Sequence, residues 1–359
     1  MAEVNTWGSL IHPDEALLVL GSLHAFPQDR RLERSRVRPV QIIMDGEVHN
    51  ASCFDSWGEW GVISMAPHPE ASGVLYLATE TELFKVDLAR QHVVDFGIPD
   101  LRDLHELTMA KDTLWLANTG LDQIVAFDIA REHVTARVNL SAYGSSPKIS
   151  AHLAEDEDDQ RHLAADVKEE AERFHCNQVF EGFDGDRYVL VHYALGNSQL
   201  IRRAARRLMG RQGNGGVVNL STGEVAHLGL KGPHTLRKVR GDYWVCDSGR
   251  SRISVFSPDW TPRGTISSRG WVRGAAASEA LGLFYVGVSQ FRRRYLALNP
   301  TVPQTPNMVQ AISMETGETL GELTLSGVER VTNVYVIPRD TAAAMLDLRP
   351  DLSVNKKAS

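Results

Sequence analysis

One phrase recurs along this chain: a short apolar segment, a break containing Gly or Asp, an aromatic-led strand, a polar pair and a further strand. Its tightest copies are LHELTMAKDTLWLANTGLDQIVAFDI (104–129) and PHTLRKVRGDYWVCDSGRSRISVFS (233–257), and WGVISMAPHPEASGVLYLATETELFKVDL (60–88) is an earlier one. Looser copies are FHCNQVFEGFDGDRYVLVHYALG (174–196), continued by GGVVNL, and VRGAAASEALGLFYVGVSQF (272–291), continued by VQAISM. VTNVYVIP (331–338) is a partial last copy. His105 and Trp115 stand ten residues apart, as do His234 and Trp244. The segments are short, rich in Val, Ile, Tyr, Trp and Leu, and bounded by Gly or Asp, which reads as strands. Units of roughly 40–60 residues, each offering several strands, predict a β-propeller, and six copies predict six blades. The runs ALLVLGS (16–22) and VQIIM (40–44) are expected to pair with the incomplete last copy and close the ring.

The expectation is therefore an all-β chain with one propeller domain over 1–350 and a C-terminal tail over 351–359. Three segments interrupt the rhythm: the acidic stretch 141–173, the basic stretch 195–215 with IRRAARRLMGRQ, and 290–308 with FRRRYLALNPTVPQTPN. All fall at connections that share one face of a propeller, so they are expected to form helical and loop cover over one mouth of the channel. Arg202, Arg203, Arg206, Arg207 and Arg211 either guide an anionic ligand or offset the acidic insertion, and the second reading is favoured.

The first residue of each innermost strand is expected to face the axis. Those positions read Gly61, His105, His175, His234, Arg273 and, for the last blade, a place between Glu329 and Asn333. A lone strand histidine is most often structural, whereas three in register point to a shared site. Neutral imidazoles from separate strands can hold a divalent transition metal (iron, manganese, zinc or copper), which would activate water or polarise a carbonyl. His105, His175 and His234 are the expected ligands and catalytic residues, with Arg273 holding an anionic group and Glu106 a further catalytic candidate. Asn177, Asn118 and Asp247 join Arg273 as candidate substrate contacts, although Asn and Asp at strand ends also serve as turn formers. Without a metal, one histidine serves as general base.

Composition narrows the class. A net charge of −7 argues against a nucleic-acid partner that works through overall positive charge. No apolar run reaches the ~18–20 residues that span a bilayer, so no membrane partner is expected. The start MAEVNTWGSLIHPDEALLVLGS does not read as a secretory signal. The 3 cysteines, Cys53, Cys176 and Cys246, form no CxxC pair, which with the missing signal fits a reducing cytoplasm. Cys176 is expected to point into blade packing, and Cys53 and Cys246 to behave as buried small hydrophobes.

In order, RDLHEL, LWLANT, FHCNQV, GPHTLR, YWVCDSG, WVRGAA and FYVGVS resemble a bacterial family described as a domain of unknown function. The resemblance runs from about residue 58 to 338 and implies a six-bladed propeller, distantly similar to the NHL, gluconolactonase and strictosidine-synthase-like propellers. It implies histidines at His105, His175 and His234, the Asn at Asn177 and the Arg at Arg273. VERVTN (328–333) is less acidic than the family pattern, and the charged insertions also depart from it. Such propellers include metal-dependent lactone hydrolases and lyases as well as metal-free condensing enzymes, and fold analogy does not choose among them. The expected function is an enzyme of hydrolase, lyase or isomerase type acting on a small anionic or carbonyl-bearing substrate. The alternatives are a metal-free acid–base enzyme and a non-catalytic binding platform, for which Trp57 and Trp60 would be the apolar patch.

Overall fold

The computed structural model describes residues 6–25, 27–140, 143, 174–194, 215–291, 305–350 and 352–357. Among the described residues the strands form six sheets, and the chain is a six-bladed β-propeller. It divides into two compact units, one of Met1–Gly97, Ser251–Ser254 and Thr265–Ser359, the other of Ile98–Arg250 and Val255–Gly264. The three expected insertions fall largely outside the described residues, and so does the expected lid.

The first unit opens with β1 (Glu15–Ser22), β2 (Val40–Met44), β3 (Glu47–Asn50), β4 (Ser64–Pro67), β5 (Val74–Ala78), β6 (Leu83–Asp87) and β7 (His92–Asp95). The second contains β8 (Leu104–Ala110), β9 (Thr113–Asn118), β10 (Gln123–Asp128) and β11 (His133–Asn139). It continues with β12 (Cys176–Glu181), β13 (Arg187–Val191), β14 (Gly215–Asn219), β15 (Val225–Leu230), β16 (Pro233–Val239) and β17 (Asp242–Asp247). Two strands, β18 (Arg252–Phe256) and β19 (Pro262–Ser267), carry residues of both units. The chain returns to the first unit with β20 (Trp271–Ser278), β21 (Leu283–Ser289), β22 (Met308–Ser313), β23 (Thr319–Thr324) and β24 (Arg330–Pro338). The helix α1 (Arg339–Leu346) and β25 (Val354–Lys356) end it.

Sheet orders follow the chain: β8-β9-β10-β11, β12-β13-β14-β15, β16-β17-β18-β19 and β20-β21-β22-β23. The ring closes as the repeat implies, because β1 pairs antiparallel with both β24 and β2, giving the order β24-β1-β2-β3. In β4-β5-β6-β7-β25, the segment expected as a tail adds a parallel edge strand, Val354–Lys356 against Val93–Asp95.

Turn chemistry accounts for the ten-residue His-to-Trp spacing. Only Lys111 and Asp112 lie between β8 and β9, and only Arg240 and Gly241 between β16 and β17. Arg240 and Gly241 both have positive φ, 49° and 85°, the geometry that matches a two-residue hairpin to strand twist. Burial of the strand faces holds each unit. In the first, Leu18, Leu20, Ile42, Leu77 and Val86 pack with Phe54 and Trp57, so Trp57 is core rather than surface patch. In the second, Ala117, Ile124, Val179, Val189 and Val218 form one cluster, and Phe180, Leu190, Leu236, Tyr243 and Val245 belong to another. Each such side chain contributes about 1.5–3 kcal/mol on full burial. Cys53, Cys176 and Cys246 are all buried, as expected of small hydrophobes.

Candidate functional site

The innermost strands share one device. Near the start of β8, β12, β16 and β20, two residues stand opposite one on the partner strand: His105 and Glu106 in β8, Cys176 and Asn177 in β12, His234 and Thr235 in β16, Arg273 and Gly274 in β20. A bulge of this kind re-aims side chains at the end of a sheet, which alternation alone would send to opposite faces. The register makes His105, His234 and Arg273 equivalent. It also corrects the expectation for His175, because the equivalent residue in β12 is Cys176. His175 stands one position earlier, with φ of 50°. A left-handed non-glycine residue is strained by about 1–3 kcal/mol and marks a place where other contacts impose the conformation. Thr235, a β-branched residue at φ of 35° beside His234, is a second case.

Despite the slipped register, the structure brings the three expected histidines together in the second unit and adds a fourth. The ring centroids of His105 and His175 are 5.2 Å apart, and those of His105 and His234 are 5.9 Å apart. His192, which follows β13, has its centroid 5.2 Å from His175 and 6.3 Å from His234. The four rings thus make a closed circuit. Nothing in the site series singles out His192. Its signal is register: opposite His175, it takes the position that Asn118 and Asp247 hold in the tight copies, where the residue type is different.

Hydrogen bonds define two of the imidazoles. His105 Nδ1 lies 3.0 Å from the Asp103 carbonyl, and His234 Nδ1 lies 2.9 Å from the Gly232 carbonyl. A carbonyl oxygen can only accept, so both Nδ1 atoms donate and the lone pair of each neutral ring is on Nε2. Ser248 Oγ is a further 2.9 Å neighbour of His234 Nδ1. His105, His175 and His234 are 8, 9 and 6% exposed, so the three rings are largely shielded from water.

Glu106, the further catalytic candidate, is held in an ion pair. Its carboxylate accepts from Arg237 Nη1 at 2.7 Å and from Thr235 Oγ1 at 3.5 Å, forming a buried ion pair beside the histidines. Cys246 feels both charges, but burial dominates and pushes its thiol up to about 12. Asn177 is 2% exposed and donates through Nδ2 to the Pro233 carbonyl at 2.5 Å. Its Oδ1 is buried with no partner among the described residues, a lack that costs about 1–3 kcal/mol unless a donor meets it. Next to it, Gln178 spans β12 and β16, accepting from Leu236 N at 2.6 Å and donating to Leu236 O at 3.2 Å.

Two candidate substrate contacts anchor loops. Asn118 Oδ1 accepts from Arg102 N at 2.7 Å while its Nδ2 donates to Asp100 O at 2.9 Å. Asp247 accepts from Lys231 N at 2.7 Å and Arg250 Nη1 at 3.1 Å. Arg273 is buried in the first unit, followed by Gly274. In the same unit, Gly61 bridges Ser22, and Glu329 accepts from the backbone N–H of His24, Arg31 and Leu32, which makes it a loop anchor too.

Among the described residues no group of three or more His, Cys, Asp and Glu side chains is arranged to hold a metal ion. The His105 and His234 ring planes are 19° from parallel. No helix among the described residues is long and apolar enough to cross a membrane.

Comparison with known proteins agrees with the fold and the resemblance. Residues 169–346 match the model of a family described as Domain of unknown function (DUF4915). No curated protein sequence matches the chain. Among solved structures, the nidogen/laminin complex is similar at 10% identity and a TM-score of 0.51, over 90% of this chain and 97% of that one. A luciferin-regenerating enzyme is similar at 11% identity and a TM-score of 0.47, over 82% and 88%. A streptogramin B lyase is similar at 10% identity and a TM-score of 0.40, over 74% and 68%. The first of these three bears on the fold alone.

Proposed function

We propose that the chain is an enzyme that acts on a small anionic or carbonyl-bearing molecule by histidine acid–base chemistry, as a lyase, hydrolase or isomerase. The observation that carries this reading is the closed circuit of four imidazoles, two of them fixed as Nδ1–H tautomers. Packing alone would favour aliphatic side chains in three such buried positions, since buried polar groups cost stability unless satisfied. An imidazole whose Nδ1–H is held by a backbone carbonyl presents a basic Nε2 with a set orientation, the usual arrangement of a general base.

In this reading His234 or His105 takes a proton from substrate or water through Nε2, and a neighbouring imidazole returns one to the leaving or rearranging atom. Ser248 keeps the His234 ring in place. The Glu106–Arg237 pair adds no net charge, and a proton taken up beside Asp103, whose Oδ1 lies 3.9 Å from His105 Nδ1, makes an imidazolium that attracts a developing oxyanion. Asn177 Oδ1 is an acceptor for a substrate N–H or O–H.

The test is a panel of cyclic esters, carboxylic acids and small carbonyl compounds incubated with the protein in deuterated water and followed by proton NMR. Turnover or deuterium incorporation should fall about 10²–10⁴-fold in His105→Ala or His234→Ala. Activity unchanged in both variants would overturn the reading. Near-stoichiometric metal in the purified protein, lost with His105→Ala, would replace acid–base chemistry with metal-ion chemistry.

A further inference from the structure

Within the acid–base reading just proposed, on which this inference rests, we infer that Asn177 sets the substrate class. The molecule taken by the histidine cluster carries an uncharged N–H or O–H donor beside its carbonyl, as a lactam or a hydroxy ester does. A plain ester or ketone lacks that donor and is the wrong class. Three observations lead there. The first is a fixed amide. Asn177 is 2% exposed, and its side chain reaches from β12 to β16, where Nδ2 donates to the Pro233 carbonyl at 2.5 Å. A carbonyl oxygen only accepts, so turning the amide over would set two acceptors against each other. Oδ1 is therefore the end left over, and among the described residues no donor meets it.

The second observation is what surrounds it. Gln178, the next residue, has both ends of its amide satisfied by Leu236. At the equivalent bulge positions of β8 and β16, Glu106 and Thr235 meet each other at 3.5 Å, and Glu106 also meets Arg237. Of these four side chains, Asn177 alone keeps an unmet atom among the described residues. The third is place. Asn177 stands two residues after His175, and the carbonyl it bonds belongs to the residue just before His234. The unmet oxygen thus lies beside the strand ends that carry two of the site's rings.

An amide oxygen is an acceptor without a charge. An ester or carboxylate oxygen brought against it sets lone pair against lone pair, whereas an N–H or O–H completes a hydrogen bond. A buried, fixed acceptor discriminates by the donor itself. The ligand that lacks one leaves the oxygen unpaired, a stronger ground for rejection than a small misfit in an apolar pocket. Asn177 is on this account a specificity residue, and the proton transfers stay with the imidazoles.

The test reads binding and not turnover, so it stands apart from the test of the reaction. Three ring compounds of nearly one shape are titrated into ¹⁵N-labelled protein and followed by the backbone amide shifts of residues 174–178. They are 2-pyrrolidinone with an N–H, α-hydroxy-γ-butyrolactone with an O–H, and γ-butyrolactone with neither. At least one donor-bearing ring should bind about five- to a hundredfold more tightly than γ-butyrolactone, and which one does so tells N–H from O–H. Asn177→Leu keeps the volume and removes the acceptor, so the preference should vanish while γ-butyrolactone binds no worse. Asn177→Ala reads the same loss if the leucine variant does not fold. Equal affinities in the parent, no binding of either donor-bearing ring, or a preference that survives in the folded variants would overturn the inference whatever the reaction proves to be. A donor preference lost in the variants, beside an inert substrate panel, would keep the assignment of Asn177 and remove the proposed chemistry.

Discussion

Glu106 stands beside His105 and is also one half of a buried ion pair, and a double-variant cycle with Arg237 separates these roles. The Glu106 side chain is 6% exposed and the Arg237 side chain 21%. Arg237→Met leaves a buried carboxylate with only the 3.5 Å Thr235 hydroxyl, and removing one partner of a buried pair costs about 3–5 kcal/mol. The reverse change is milder. Glu106→Gln keeps an oxygen for Arg237 Nη1, which also retains the Leu236 carbonyl at 2.9 Å, so the cost is that of a weakened hydrogen bond, about 1–2 kcal/mol. Removing both charges leaves no orphaned ion, and the double variant should cost about 1–3 kcal/mol, well below the sum of the single changes. With a urea slope of about 3 kcal/mol/M, Arg237→Met lowers the unfolding midpoint by about 1–1.7 M and Glu106→Gln by less than about 0.7 M. Equal shifts for the single variants, or an additive double variant, would refute the argument that burial of the carboxylate dominates. A Glu106→Gln protein with an unchanged midpoint and a hundredfold loss of turnover would make Glu106 catalytic.

Three further outcomes are expected. Gly274 has φ of 74°, and a Cβ there would fall 2.4 Å from Asn333 Cα and 2.7 Å from its carbonyl carbon. Gly274→Ala should therefore cost about 2–4 kcal/mol in urea unfolding, and a loss below about 0.5 kcal/mol would contradict that contact. Burial pushes the Glu80 carboxyl up, against the Glu59 and Trp60 N–H groups that lower it. The folded protein thus holds this proton more tightly, a stabilisation complete below the ordinary carboxylate range and lost as pH rises through the raised value. Glu80→Gln lacks that loss, so its urea midpoint should fall less than the parent's between pH 4 and pH 8, and parallel profiles would contradict it. Burial also pushes the Cys53 and Cys246 thiols up to about 12, so neither should react with an aromatic disulfide reagent at pH 8 until the chain is unfolded. Rapid labelling of either in the folded protein would show that the site opens.

Local chemistry made the propeller legible. Apolar runs of strand length and two-residue hairpins repeat in sequence, and the runs 16–22 and 40–44 supply the strands that the last copy lacks. His105 and His234 were legible for the same reason, since both occupy the bulge of tight copies. His175 was identified through a register it does not have. FHCNQV sets its histidine one residue early, and only the left-handed turn at His175 compensates. His192 was hidden because the same corner holds the loop-capping residues Asn118 and Asp247 in the tight copies, so no shared residue type marks it. The Glu106–Arg237 pair spans 131 residues, and no periodicity announces a contact of that range. Asn118 and Asp247 turned out to follow the ordinary preference of such residues for loops.

The central claim is that four imidazoles act as one site with two fixed tautomers. A multiple-quantum ¹⁵N–¹H spectrum of the histidine rings tests it most directly, recorded above their titration for the parent and for His105→Ala, His175→Ala, His192→Ala and His234→Ala. The account expects His105 and His234 as Nδ1–H tautomers, and each substitution should shift the ring resonances of its neighbours in the circuit. Nε2–H tautomers at His105 and His234, or rings indifferent to the loss of their neighbours, would contradict it.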